Sequence, residues 1–199
     1  VRQFIAVAIT FYGLRWLLAR PSGLKYLLTI GAATLFHQTA IFMLPFWLLC
    51  RFRYKKRHYL AMIAALLVVF VFRREVLAFV LKIFYPGYAD SRYVDSIQIN
   101  ELQIVTSLLL VLLVFRYKPV LLRQPSGIRM VNLIYFRAMV ATLLAWVPML
   151  WRLLLYLDIT AVILIPIVIR CEPNRKLRRF YTLLFLSIAV LYAWYSVRF

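Results

Sequence analysis

Residues 51–72 read RFRYKKRHYLAMIAALLVVFVF, a dense cluster of Lys and Arg followed directly by an apolar run. The same alternation recurs along the chain, which holds 25 Lys and Arg against 6 Asp and Glu and is 65% hydrophobic. In membrane proteins with several spans, basic clusters mark the loops that stay in the cytoplasm. The pattern therefore predicts an integral membrane protein whose orientation is set by its basic loops.

Four basic clusters separate the apolar stretches, and we assign all of them to the cytoplasmic side: residues 15–25, 51–57, 116–129 and 170–179. Five of the six acids fall elsewhere and are assigned to the outer side: Glu75, Asp90, Asp95, Glu101 and Asp158. A net charge of +19 also suits nucleic-acid binding, but that requires a water-exposed basic face. A mean hydropathy of +0.87 leaves little such surface, so we expect no nucleic-acid partner.

The apolar stretches predict an all-α, polytopic transmembrane helical bundle, because about 20 apolar residues cross the hydrocarbon core. We expect about six spanning helices, at residues 4–18, 59–72 continuing towards 84, 102–115, 130–151, 153–169 and 181–197. Residues 1–199 are treated as a single integral-membrane domain. Because the chain starts at Val1 rather than Met, we expect it to be a fragment or a processed product. The polar residues 85–101 are expected to form an external loop.

Residues 24–50 fit two interpretations. A single tilted span would place Arg20 and Lys25 on the side opposite to residues 51–57, against the charge rule. A broken or re-entrant hairpin that turns near His37 and Gln38 keeps both basic ends in the cytoplasm. We favour the hairpin, because the polar run Thr34, His37, Gln38 and Thr39 is unfavourable in contact with lipid. The single span stays open. Non-helical backbone at membrane depth must pack on protein or line a wet cavity, so the hairpin implies a cavity that opens outward at His37.

The sequence has few of the residues and motifs that soluble enzymes use to bind metals or nucleotides. The two histidines and two cysteines, Cys50 and Cys171, are not spaced as zinc ligands. The sequence contains no glycine-rich phosphate loop and no G-x-S-x-G motif. We therefore expect neither a metal nor a cofactor.

Several arginines occupy positions on the predicted outer side: Arg2, Arg73, Arg74, Arg92 and Arg152. An arginine in mid-membrane costs about 2.5 to 3.5 kcal/mol, so such residues usually face the bundle or a cavity. Converging guanidinium groups would bind pyrophosphate oxygens in pairs. For each arginine, extension of the side chain to the membrane interface is the alternative.

Two further polar residues have structural alternatives. Arg137 lies inside a predicted span and is expected to pair with a carbonyl group or with a carboxylate such as Asp158. His37, taken alone, is more often a helix-packing hydrogen bonder than a base.

Short motifs in order along the chain resemble the EpsG family of bacterial polysaccharide polymerases, which are similar to the Wzy O-antigen polymerases. These motifs are Arg2-Gln3 before an apolar helix, FHQTA at 36–40, RLLLY at 152–156 and ILIP at 163–166. The resemblance covers most of the chain. Members of the family are typically longer, so the resemblance implies that this chain is the C-terminal part of a longer polymerase.

The resemblance implies a glycosyltransferase-like polymerase in the bacterial cytoplasmic (inner) membrane. It would join polyprenyl-pyrophosphate-linked repeat units at the outer face, in exopolysaccharide, capsule or O-antigen synthesis. The leaving group is already activated, so positioning and charge stabilisation suffice without a metal or nucleotide. Expected partners are the lipid-linked glycan, membrane lipid, a chain-length regulator and other polysaccharide-assembly proteins.

The resemblance implies catalytic or substrate-binding roles for six residues. The catalytic residues would be His37, as base or hydroxyl orienter, with Arg2 and Arg152 on the pyrophosphate. The substrate-binding residues would be Gln3, Tyr156 and, as a lesser candidate, Arg92.

Two other functions remain as alternatives. A flippase or transporter for lipid-linked oligosaccharides would also surround a pyrophosphate with arginines, but it should line a path through both leaflets and often shows repeated halves. The longest repeat is Pro-Ser-Gly, at 21–23 and 125–127. A membrane sugar acyltransferase would take its acyl donor from the cytoplasm, whereas His37 is predicted to face outward.

Overall fold

The computed structural model describes residues 2–84, 101–144 and 150–198, and all regular secondary structure in these ranges is helical. The α-helices are α1 Arg2–Leu18, α2 Gly23–Phe36, α3 Phe46–Leu49, α4 Lys56–Val71, α5 Arg73–Phe84, α6 Glu101–Leu121, α7 Gly127–Leu143, α8 Leu150–Cys171 and α9 Arg175–Arg198. A 3₁₀ helix, Gln38–Met43, lies between α2 and α3. The predicted all-α class is confirmed.

Two helices in the described ranges are long and apolar enough to cross a membrane, Gln103–Leu121 within α6 and Arg152–Cys171 within α8. Shorter apolar helices cover Gly23–Phe36 and Gln38–Leu49. The expected bundle of about six spans is therefore only partly supported by helix length.

Some boundaries differ from the sequence-based ones. The predicted span 130–151 is not one helix, because α7 ends at Leu143 and α8 begins at Leu150. Arg152 consequently lies in the first turn of α8 rather than between two spans. The predicted external loop lies outside the described residues except for Glu101, which begins α6.

The segment 24–50 folds back on itself. Helix α2 ends at Phe36, and the next residue, His37, has an extended backbone with φ −154° and ψ 115°. The Tyr26 hydroxyl donates to the Met43 carbonyl oxygen at 2.7 Å. Its ring stacks on Trp47 with 5.9 Å between centroids, and a Cβ atom on Gly23 would lie 3.2 Å from the Trp47 indole. Because both ends of the segment meet, the structure has the broken hairpin and not the single helix.

The core forms where α1, α2 and the 3₁₀ helix pack beside α6, α7 and α8. Helix α1 approaches α2 closely at Gly13, where an added Cβ atom would lie 3.1 Å from the Thr29 methyl group. Helix α7 is the most enclosed and buries Asn132 and Arg137 as well as its apolar residues. Helix α4 has no buried side chain.

Contacts between helix ends show that three of the basic clusters lie at one end of the bundle. Arg129 Nη1 donates to the Leu18 carbonyl oxygen at 3.1 Å, which joins α7 to the end of α1. Asn132 Nδ2 donates to the carbonyl oxygens of Cys50 and Phe52 at 3.0 and 2.9 Å. We call this the basic end. Both Pro-Ser-Gly segments lie there, and their glycines, Gly23 and Gly127, begin α2 and α7.

Candidate functional site

At the opposite end of the bundle, the first turns of α1 and α8 meet. Gln3 Nε2 donates to the backbone carbonyl oxygen of Arg152 at 3.2 Å, although the residues are 149 positions apart. Both residues are half-buried. The contact arises because α1 and α8 each begin at this end, so that their early residues lie side by side.

His37 lies at the turn of the hairpin and belongs to neither adjoining helix. Its Nε2 atom is buried and has no hydrogen-bond partner among the described residues. Burial, and after it the positive charge of Arg152, lower the pKa of His37 below its ordinary value of 6.5. The imidazole is therefore neutral near pH 7, and in its Nδ1–H tautomer Nε2 accepts a hydrogen bond or a proton.

Tyr156 connects α8 to the segment just after His37. Its side chain is fully buried, and the Thr39 hydroxyl donates to its hydroxyl oxygen at 3.4 Å. Tyr156 is about one helical turn beyond Arg152. It thus ties α8 to the 3₁₀ helix, while its direct contact with a sugar or with Arg152 stays a prediction.

Four of the six predicted site residues come together in this way. We call Gln3, His37, Arg152 and Tyr156, together with Thr39, the site cluster. Arg2 is exposed at the start of α1, next to Gln3. Arg92 lies outside the described residues. The functional roles of all six stay predictions.

Thr39 was not assigned a role from sequence, although it belongs to the polar run that marked the hairpin turn.

Arg73, one of the arginines predicted on the outer side, contacts Phe70 near the end of α4. Its Nη1 donates to the Phe70 carbonyl oxygen at 3.5 Å, and its guanidinium carbon lies 5.0 Å from the centre of the Phe70 ring. These contacts fit an interfacial arginine better than a ligand-binding one.

Arg137 pairs with Asp158, as the sequence suggested. Its Nη2 and Nε atoms lie 2.5 and 2.6 Å from Asp158 Oδ1. The sequence did not identify the rest of this network on α6. Arg137 Nη1 donates to the Ser107 hydroxyl, and Nη2 donates to Gln103 Oε1 at 3.2 Å. The available signal was the spacing of residues 103 and 107, which places both on one face of a helix.

Within the described ranges, no three side chains of His, Cys, Asp or Glu are grouped as metal ligands. The arrangement at the site cluster offers instead a guanidinium group, an amide and a neutral imidazole. These groups can bind an anion and orient or deprotonate a hydroxyl.

Comparison with known proteins identifies the family of this chain. No curated protein and no solved structure matches the chain. A family model described as the EpsG family matches residues 1–199. The chain therefore belongs to the EpsG family and is a polysaccharide-polymerase-like membrane protein.

Proposed function

We propose that this chain joins polyprenyl-pyrophosphate-linked oligosaccharide repeat units at the outer face of the bacterial cytoplasmic membrane. The observation that carries the proposal is the contact of Gln3 with Arg152, together with His37, which is near enough for the charge of Arg152 to lower its pKa and whose buried Nε2 atom has no partner among the described residues. This grouping lies at the end of the bundle away from Arg129 and Leu18.

The orientation supports an outward-facing site. Basic clusters stay on the cytoplasmic side of a membrane and are attracted by its anionic lipids. With the basic end inside, α1 starts at the outer side, the hairpin turns there at His37, and α8 re-enters there at Arg152. A multi-pass location in the inner membrane, with the site cluster in an outward cavity, follows as part of the proposal.

The reaction needs an acceptor hydroxyl and an activated glycan. The hydroxyl oxygen of a lipid-linked repeat unit forms a bond to the anomeric carbon of the growing chain. The bond from that carbon to the pyrophosphate oxygen breaks, and polyprenyl pyrophosphate leaves with the electron pair. The hydroxyl proton passes to His37 Nε2, which is neutral and in need of a partner.

The arginines would act on the leaving group. Arg152 and Arg2 would bind the pyrophosphate and stabilise the charge that develops on it, with Arg92 as a lesser contributor. Gln3 would hold the start of α8 through the Arg152 carbonyl group. Tyr156 would hold α8 against Thr39 and so against the hairpin turn. The product would be an exopolysaccharide, capsule or O-antigen, with chain length set by a partner protein.

The direct test uses the purified full-length protein and a labelled lipid-linked repeat unit, with glycan length as the readout. His37→Ala is expected to slow extension by about 10² to 10⁴-fold, the usual contribution of a general base. His58→Ala is the matched control, because His58 accepts a hydrogen bond from the Lys55 backbone at the start of α4, beside the basic residues 51–57.

Arg152→Ala has a control on the same helix. Arg170 is exposed at the other end of α8, about 27 Å along its axis, and Arg170→Ala is expected to leave extension unchanged. Long glycans made at the normal rate by both the His37 and the Arg152 variants would contradict the proposal. Translocation without extension would identify a flippase, and acyl transfer without chain growth would identify an acyltransferase.

A further inference from the structure

The ion pair between the buried Arg137 and the half-buried Asp158 connects three helices through one guanidinium group. Arg137 is 4% exposed on α7, and two of its nitrogens contact Asp158 Oδ1 on α8. Its other hydrogen bonds are to Ser107, Gln103 and Thr106 on α6. In the part of the chain that the structure describes, this is the one salt bridge. All three helices are thus held at a common point.

The Arg137–Asp158 pair lies further along α8 than the site cluster, towards the basic end. Asp158 is six residues beyond Arg152, or about 9 Å further along α8. Ser107 is likewise six residues from the start of α6, which begins at Glu101. The ion pair is therefore close enough to govern how the first turns of α8 are presented.

Arg152 and Tyr156 lie on one side of α8, and Asp158 lies on another. At 3.6 residues per turn, Tyr156 is about 40° around the helix axis from Arg152, and Asp158 is about 120° away from Arg152 in the other direction. Asp158 faces α7 and α6, where Arg137 holds it. Tyr156 meets the 3₁₀ helix through its hydroxyl group, and Arg152 meets α1 through its backbone carbonyl oxygen.

We propose that the Arg137–Asp158 pair is a positioning device that sets the rotation of α8 and so presents Arg152 to Gln3 and His37. Two charge-assisted hydrogen bonds to one carboxylate oxygen restrict rotation of the helix more than apolar packing does, because apolar contacts are non-directional. The consequence for glycan extension rests on the proposed function, whereas the consequence for helix geometry does not.

The decisive variant removes both charges. A single substitution would leave an uncompensated buried charge and destabilise the bundle in general. The double variant Arg137→Gln/Asp158→Asn keeps polar groups of similar size without a net charge. Ser107→Ala is the matched control, because it removes an α6 contact and leaves the ion pair to α8 intact.

The geometric measurement is cross-linking of Gln3→Cys to Arg152→Cys with a short bifunctional thiol reagent. It is done in the full-length protein in lipid nanodiscs, with Cys171→Ser to remove the half-buried native thiol. High cross-linking is expected with the native pair and with Ser107→Ala. A drop of at least fivefold is expected with Arg137→Gln/Asp158→Asn.

The functional measurement uses proteins that retain Gln3 and Arg152. The double variant is expected to lower kcat for glycan extension by about tenfold or more, as misplacement of a reacting group does, with little change in KM. Unchanged cross-linking in the double variant would overturn the positioning role. Reduced cross-linking in a protein whose native form never extends glycans would support positioning and contradict the proposed function.

If the double variant does not accumulate, Asp158→Glu tests the same point. It keeps the charge and lengthens the side chain by one methylene group. A reduced cross-linking yield is expected for a rotated α8, and an unchanged yield would again overturn the proposal.

Discussion

Gln3 Nε2 and the backbone carbonyl oxygen of Arg152 are joined by a 3.2 Å hydrogen bond between the first turns of α1 and α8. This bond brings Gln3 of α1 against the amino-terminal end of α8. The first turn of a helix carries partial positive charge, which here adds to that of the Arg152 side chain. The region around Gln3 is therefore suited electrostatically to an anionic group such as a pyrophosphate.

Loss of the Gln3 side-chain donor should weaken glycan extension moderately. Gln3→Leu keeps the approximate volume and removes a hydrogen bond, whose net contribution is about 0.5 to 1.5 kcal/mol. We therefore expect a rate of about one half to one tenth of the native value in the lipid-linked repeat-unit assay. Gln124→Leu, in the exposed turn between α6 and α7, is the control. Equal losses in both variants would contradict a specific role for Gln3.

The pH dependence of extension should report on His37. Burial and the charge of Arg152 lower its pKa, so the neutral, proton-accepting form persists below pH 6.5. Extension should be constant near pH 7 and fall only as the pH drops through this lowered pKa. Arg152→Gln removes a positive neighbour, so the acid limb of its residual activity should move to higher pH. An acid limb that stays in place would exclude electrostatic coupling between the two side chains.

Stability at acid pH should depend on Glu172, which follows α8 at the basic end and is only 3% exposed. Its carboxylate accepts hydrogen bonds from the Tyr117 hydroxyl and from the Asn174 backbone at 2.9 Å, and these lower its pKa below 4.5. A depressed carboxyl pKa contributes stability that is present above the unfolded-state pKa and is lost as the pH falls through the folded-state value.

Glu172→Gln should therefore melt below the native protein at pH 7, with a difference that shrinks as the pH falls below 4.5. Thermal melting in detergent at several pH values measures this difference. Glu101→Gln, on an exposed residue at the start of α6, provides the comparison. A Glu172→Gln difference that is independent of pH would mean that packing, and not charge, is responsible.

Two glycines should respond in opposite ways to replacement by alanine. A Cβ atom on Gly127 would lie 1.8 Å from the Leu121 carbonyl oxygen, so the turn between α6 and α7 would have to move. We expect Gly127→Ala to cost about 1 to 3 kcal/mol, as overpacking does. Gly31, inside α2, has no atom within 4 Å of such a Cβ, and Gly31→Ala should stabilise the helix by about 0.5 to 1 kcal/mol. A chemical-unfolding midpoint that falls for Gly31→Ala would show that the space beside Gly31 is not free.

Local signals in the sequence were enough for several features of the fold. The basic clusters near Arg129 and Cys50 were assigned to one side, and hydrogen bonds join those helix ends. The polar run 37–39 predicted the hairpin turn, and the backbone breaks at His37. Arg137 needed a partner inside an apolar span, and Asp158 is that partner. In each case a charged or polar residue within an apolar stretch restricts the possible structures strongly.

Helix boundaries and the remaining partners were harder to predict. The apolar run 130–151 looked like one span, yet α7 ends at Leu143. Thr39 and Ser107 gained their roles only through contacts with Tyr156 and Arg137. A hydroxyl group in an apolar helix gives little signal of its own, because it can also bond to its own backbone.

Composition and charge order alone determined the helical class, the basic end of the bundle and the turn at His37, because hydropathy and charge act locally along the chain. Tertiary structure alone decided that Gln3 reaches Arg152 and that Thr39 reaches Tyr156. These pairs lie more than one hundred positions apart, and their meeting depends on how each helix is rotated in the bundle. That rotation is set by packing and by polar contacts between distant residues, such as Arg137 and Asp158, which no short stretch of sequence contains.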